Sequence, residues 1–119
     1  MKIKTSELSG KTLDWAVAFA EGYIKDRDSW MFDSRTADEY KPSTNWAIGG
    51  PIIDANPTMQ LWLWGGRPRD EMQCSTLPIK EEFGTRMTTY FGKTKLIAGM
   101  RAYVASKLGE EVEIPEELL

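Results

Sequence analysis

The fold class this sequence predicts is α+β: two or three helices packed with a small antiparallel sheet of two or three strands. Three observations carry that expectation. A capped apolar periodicity sits near the N-terminus, and a longer one ends at Gly109. Between them lie two short runs rich in aromatic and β-branched residues and bounded by glycine or proline.

The first helix opens at Ser9-Gly10, because a serine hydroxyl satisfies free N–H groups of a first turn. Leu13, Ala16, Val17 and Ala20 then recur on one face, and Gly22 is the natural stop. Trp15 and Phe19, four residues apart, are expected to pair at the rim of the core, with Asp14 off the apolar stripe. Ahead of this helix, Thr5-Ser6-Glu7 suits a small turn.

Residues 23–40 have no sustained apolar period and read as a long loop. Its Trp30-Met31-Phe32 knot is either a lid folded onto the core or an exposed patch for a partner. The acidic residues around it lack the ligand order and central glycine of a calcium loop.

From Tyr40 to Asp54 the chain carries a cap, two aromatics and a Gly-Gly-Pro break. Ser43, Thr44 and Asn45 predict a helix N-terminus directly after Pro42. Gly49 and Gly50 each weaken that helix by about 1 kcal/mol and Pro51 by roughly 3 kcal/mol. Either one helix kinks at Gly50-Pro51, or it ends near Ile48 and a second begins with Pro51 in its first turn.

After a turn at residues 56–58, residues 59–64 form the first predicted strand. Met59, Leu61 and Leu63 share one face; Gln60, Trp62 and Trp64 share the other, so the strand is covered on both sides or offers Trp62 and Trp64 to a groove. Gly65 to Asp70 is a loop, and residues 71–84 read as irregular or briefly helical, with Leu77-Pro78 as a breaker. Residues 85–91 make the second strand, expected to pair antiparallel with the first. Thr94 caps the strongest helix, which runs to residue 107 or 108: Ile97, Met100, Val104 and Leu108 are its buried stripe, Ala98, Ala102 and Ala105 allow close approach, and Arg101 and Tyr103 flank it. The acidic tail alternates Val112 and Ile114, which suits a short extended segment lying on the body, against the alternative of a free charged tail.

At 119 residues the chain is expected to be one domain (1–119) that folds without metals or disulfides. A net charge of -3 disfavours nucleic acid and anionic membranes as partners. The single cysteine, Cys74, excludes an internal disulfide, and with no secretion leader and no long apolar run the expected compartment is the cytoplasm. With no histidine, the Ser-His and Cys-His nucleophile systems and the usual zinc sites cannot be built. Cys74 has no histidine partner and is placed in a polar loop, and the Gly49-Gly50 pair fits neither a P-loop nor a dinucleotide fingerprint. No cofactor, metal or catalytic residue is predicted. An enzyme using carboxylates near Asp14 and Asp54 stands as the alternative.

Binding has better support. The helix start at Ser43, Thr44 and Asn45 points N–H groups and a positive dipole end outward, between Tyr40 and Trp46. Together with Gly49, Gly50 and Arg101 (or Arg86), these residues are the candidate ligand site, suited to a small polar, nucleotide-like molecule. The plainer reading is that Ser43 caps its own helix while Tyr40 and Trp46 staple it to the core.

The runs Lys4 to Leu8 and Leu13 to Ala18, then Tyr40 to Trp46 with Gly49 to Ile53, and Leu96 to Arg101 with Tyr103 to Gly109, resemble the NinX family of tailed phages and prophages. Residues 23–39 and 66–84 are the variable segments. The resemblance implies a fold similar to small phage αβα sandwiches, and an accessory phage product of the enterobacterial cytoplasm; it brings no biochemical activity with it. Asn45 stands where relatives tend to have Asp, which argues against a catalytic carboxylate at that cap. The function expected is non-catalytic capture of a host or phage protein or of a small polar ligand, in the service of counter-defence. Regulation of phage or host nucleic-acid processes is a further alternative, and a homodimer is left open.

Overall fold

The computed structural model describes residues 1–23, 40–56, 60–63, 73–81 and 84–118, with backbone alone for the strand residues 60–63, 73–81 and 84–88. The elements are β1 (Lys2–Lys4), α1 (Gly10–Ala20), α2 (Trp46–Asp54), β2 (Gln60–Leu63), β3 (Gln73–Glu81), β4 (Gly84–Gly92), α3 (Lys95–Leu108) and β5 (Glu111–Glu113). Short 3-10 turns occupy Thr5–Glu7 and Glu116–Leu118. The expected α+β class is what the chain adopts.

The helices begin where their caps say they should. Ser9 is the N-cap of α1, and Thr12 Oγ1 accepts from the Ser9 N–H at 3.1 Å. Thr94 Oγ1 accepts from Ile97 N at 3.1 Å to open α3, and Gly109 closes it at φ +97°, a backbone region that side chains disfavour.

α3 is the hub. One side meets β3 and β4, where Ala102 and Ala105 pack on Tyr90; the other meets α1 and α2, where Met100, Tyr103 and Val104 join Leu13, Val17 and Ile52. A helix between two layers must be apolar nearly all round, so its buried set exceeds the single predicted stripe and takes in Leu96 and Tyr103, while Ile97 and Leu108 are only half-buried. Trp15 and Phe19 do stack, with ring centroids 5.3 Å apart, and Trp15 lies inside the core rather than at its rim.

The middle sheet corrects two expectations. Residues 73–81 are not irregular: they are the central strand of a β2-β3-β4 meander, so residues 60–63 pair with residues 73–76 and not with the strand at 84–92. Pro78 stands in this strand opposite Met87 of β4, two residues beyond Thr76, which pairs with Gln60, the first described residue of β2. Cys74 accordingly belongs to a strand, opposite Trp62 and Phe91, and not to a loop.

The tail does lie on the body. β5 pairs antiparallel with β1, Ile3 facing Val112, with Val112 and Ile114 buried. Thr5 Oγ1 donates to Gly109 O at 2.7 Å, and Ile114 N donates to Met1 O at 2.9 Å.

Of the two readings of the Gly-Gly-Pro segment, the single helix holds: α2 runs through Pro51 to Asp54 without a second start. Asn45 is its cap, Oδ1 accepting from Ala47 N at 3.0 Å. The Trp30-Met31-Phe32 knot, the residue 57–58 turn, Trp64 and the Gly65 to Asp70 loop lie outside the described residues.

Candidate functional site

The ends of the helices build a cleft. α1 stops at Ala20, and Glu21 and Tyr23 follow at its mouth; α2 contributes Ala47, Ile48, Pro51, Ile52 and Ala55, one face at helical spacing; α3 adds Tyr103 and Lys107, four residues apart. Tyr40 and Asn56 complete the described lining of an open groove of about 510 Å³. Asn56 Nδ2 donates to Ile52 O at 2.6 Å and so closes the C-terminal end of α2.

Three tyrosines from three parts of the chain wall this groove. Tyr23 and Tyr40 meet edge to face with centroids 5.5 Å apart, and Lys107 Nζ lies 6.0 Å from the centre of the Tyr103 ring. Burial pushes the Tyr103 phenol up to about 12, helped by the charge of Glu21 and a hydrogen bond to its carboxylate. Burial likewise raises Tyr40, with the Glu21 charge next in weight. Both phenols are therefore neutral at physiological pH. They offer O–H groups and π faces, not phenolate nucleophiles.

Of the residues singled out from sequence, Tyr40 alone lines the cleft. Asn45 is used as the helix cap, Thr44 is exposed, and Trp46 is 55% exposed on the first turn of α2 rather than stapled to the core. Gly49 is buried against the Pro42 carbonyl and the Leu96 side chain, and Gly50 lies under the Trp46 ring. Arg101 is turned away: its Nε donates to Leu8 O at 2.8 Å and its Nη1 to Phe91 O, tying α3 to the first 3-10 turn and to the end of β4. The Arg86 side chain lies outside what is described. Glu21, Tyr23, Tyr103 and Lys107 escaped the sequence reading. The signal that could have found them was the Tyr103/Lys107 pair at i and i+4 beside two further tyrosines that follow or precede a helix end.

Ser43 does not cap α2. It is buried, its N–H donates to Asp14 Oδ1 at 2.9 Å, and its hydroxyl makes no hydrogen bond of ordinary geometry. Asp14 thus anchors the 42–44 turn to α1. Burial raises its pKa above the usual carboxylate value, outweighing the opposing pull of the Ser43 hydrogen bonding and the Lys41 charge. A carboxyl raised in the folded state gives stability that is full below the unfolded value and declines as pH rises through the folded one. Asp14→Asn keeps an acceptor for Ser43 without the charge. It is expected to be at least as stable as the wild type at pH 7 and to lose that advantage at pH 3.5, by urea denaturation at the two pH values. Neither Asp14 nor Asp54, the pair of the carboxylate alternative, lines the cleft. Among the described residues no three His, Cys, Asp or Glu side chains cluster as a metal site, and no helix is long and apolar enough to cross a membrane.

Fold and groove together define a small α+β protein with an open cleft walled by aromatic rings, carrying one acid and one base among its described lining residues. The chain belongs to the NinX family: residues 4–107 match the family described as Bacteriophage P22, NinX. It is accordingly a phage accessory protein. No curated protein matches the chain.

Proposed function

We propose that this protein is a non-catalytic binder that works in the cytoplasm of the infected cell and captures a small polar ligand in the tyrosine cleft, withholding it from a host defence system. The observation that carries this reading is the convergence of Tyr23, Tyr40 and Tyr103 with Glu21 and Lys107 around one open groove. Apolar walls with a few placed polar groups are what small-molecule sites need. Native mass spectrometry of protein purified from infected cells is expected to show a bound small molecule. Ala47→Trp, which fills the groove from an exposed lining position, is expected to remove that adduct, while Trp46→Ala leaves it. Loss with Trp46→Ala and retention with Ala47→Trp would move the site back to the start of α2.

Capture of a host protein is the second reading, favoured by the exposed Trp46 and Tyr23 at 55% and 59%, aromatic anchors of the kind that carry interface energy. Its mark is a host protein retained from infected lysate by the wild type and lost with Trp46→Ala.

A further inference from the structure

Resting on the reading of the cleft as a ligand site, we propose that its occupant is a small organic cation, an ammonium or guanidinium group held against the tyrosine rings beside Glu21. The ring faces of Tyr23, Tyr40 and Tyr103 carry the negative lobe of their quadrupoles, and cations bind such faces. Lys107 already demonstrates the preference, its ammonium lying 6.0 Å from the Tyr103 ring centre. That ammonium sits on an exposed, flexible stem, so a ligand cation can displace it outward.

The surrounding field has the same sign. Glu21 is the acidic lining residue, and its charge reaches both buried phenols. Glu21 and Ala55 are the C-cap residues of α1 and α2, so two helices direct the negative ends of their dipoles to the groove. An anion finds much less. Among the described lining residues Lys107 is the basic one, and the Asn56 amide already donates to Ile52 O. A nucleotide phosphate at Lys107 would also stand near Glu21 and the π faces. The groove, at about 510 Å³, has room for more than tetramethylammonium and suits a longer amine such as agmatine.

The test uses the full chain with ring-labelled tyrosine, titrated by NMR with tetramethylammonium chloride, agmatine or AMP, with sodium chloride as the ionic-strength control. Both cations are expected to shift the Tyr23, Tyr40 and Tyr103 ring signals saturably. Glu21→Gln, which keeps a hydrogen-bond acceptor for Tyr103, is expected to weaken them by at least about threefold. Lys107→Met is expected to strengthen them by about twofold or more, because it removes the competing ammonium. Saturation by AMP instead, abolished by Lys107→Met, overturns the cation inference and leaves the cleft as a ligand site. Cation shifts that are equal in the wild type and Glu21→Gln overturn it as well. No saturable shift with any probe sinks both the inference and the reading beneath it.

Discussion

Gly49→Ala is expected to lower the melting temperature by about 10 °C, whereas Gly50→Ala, one residue further on, leaves it unchanged or raises it. A Cβ at Gly49 would run into the Pro42 carbonyl oxygen and stand 2.7 Å from Leu96 Cδ2. The first of these is backbone and cannot rotate away, so α2 must retreat from the 42–44 turn or from α3. Overpacking of this kind costs about 3 kcal/mol at the upper end of its usual range. At Gly50 the nearest atom is Trp46 Cε3 at 3.5 Å, ordinary contact, and alanine there recovers helix propensity of about 0.5–1 kcal/mol. Two thermal melts decide it. Equal losses at the two positions would mean that the close approach of α2 is not what Gly49 is for.

Arg101→Met should cost a similar amount, about 3 kcal/mol, by leaving the Leu8 and Phe91 carbonyls without their charged donor. The guanidinium serves both acceptors at once because its N–H groups are fixed in a planar fork. Arg101→Lys keeps the charge but loses that geometry, so its denaturation midpoint is expected between the other two. A lysine variant as stable as the wild type, or a methionine variant less than about 1 kcal/mol weaker, would remove Arg101 from its role as the tie between α3, the first 3-10 turn and β4.

Much of the architecture was legible because its signals are local. A cap residue and a following periodicity located α1 and α3 within a residue of their observed ends, and the Val112/Ile114 alternation announced β5. β3 was not legible. Its polar first half, Gln73 to Thr76, and its Pro78 both argue against a strand when read alone; what overrides them is pairing with β2 on one side and β4 on the other, which no local window shows. The cleft was illegible for a different reason. Glu21, Tyr40, Ile48 and Tyr103 are separated along the chain and meet because three helices end or pass near one another, which no single window of sequence encodes. The helix start at Ser43 to Asn45, by contrast, was conspicuous in sequence because caps are conspicuous. In the structure Asn45 performs that structural task, and Ser43 serves Asp14 instead.

The pairing of β1 with β5 has a temporal side. Lys2 to Lys4 leave the ribosome well before their partners at Glu111 to Glu113, which lie more than about 100 residues further along the chain. Such a long-range ladder is slow to form, since the loop of everything between the two strands must close before any bond rewards it. During synthesis the first strand therefore waits with an unpaired edge, and the finished α3 is what finally delivers its mate. Nascent chains halted just before Glu111 should be open to proteases around Lys2 to Lys4, not merely at the halted end.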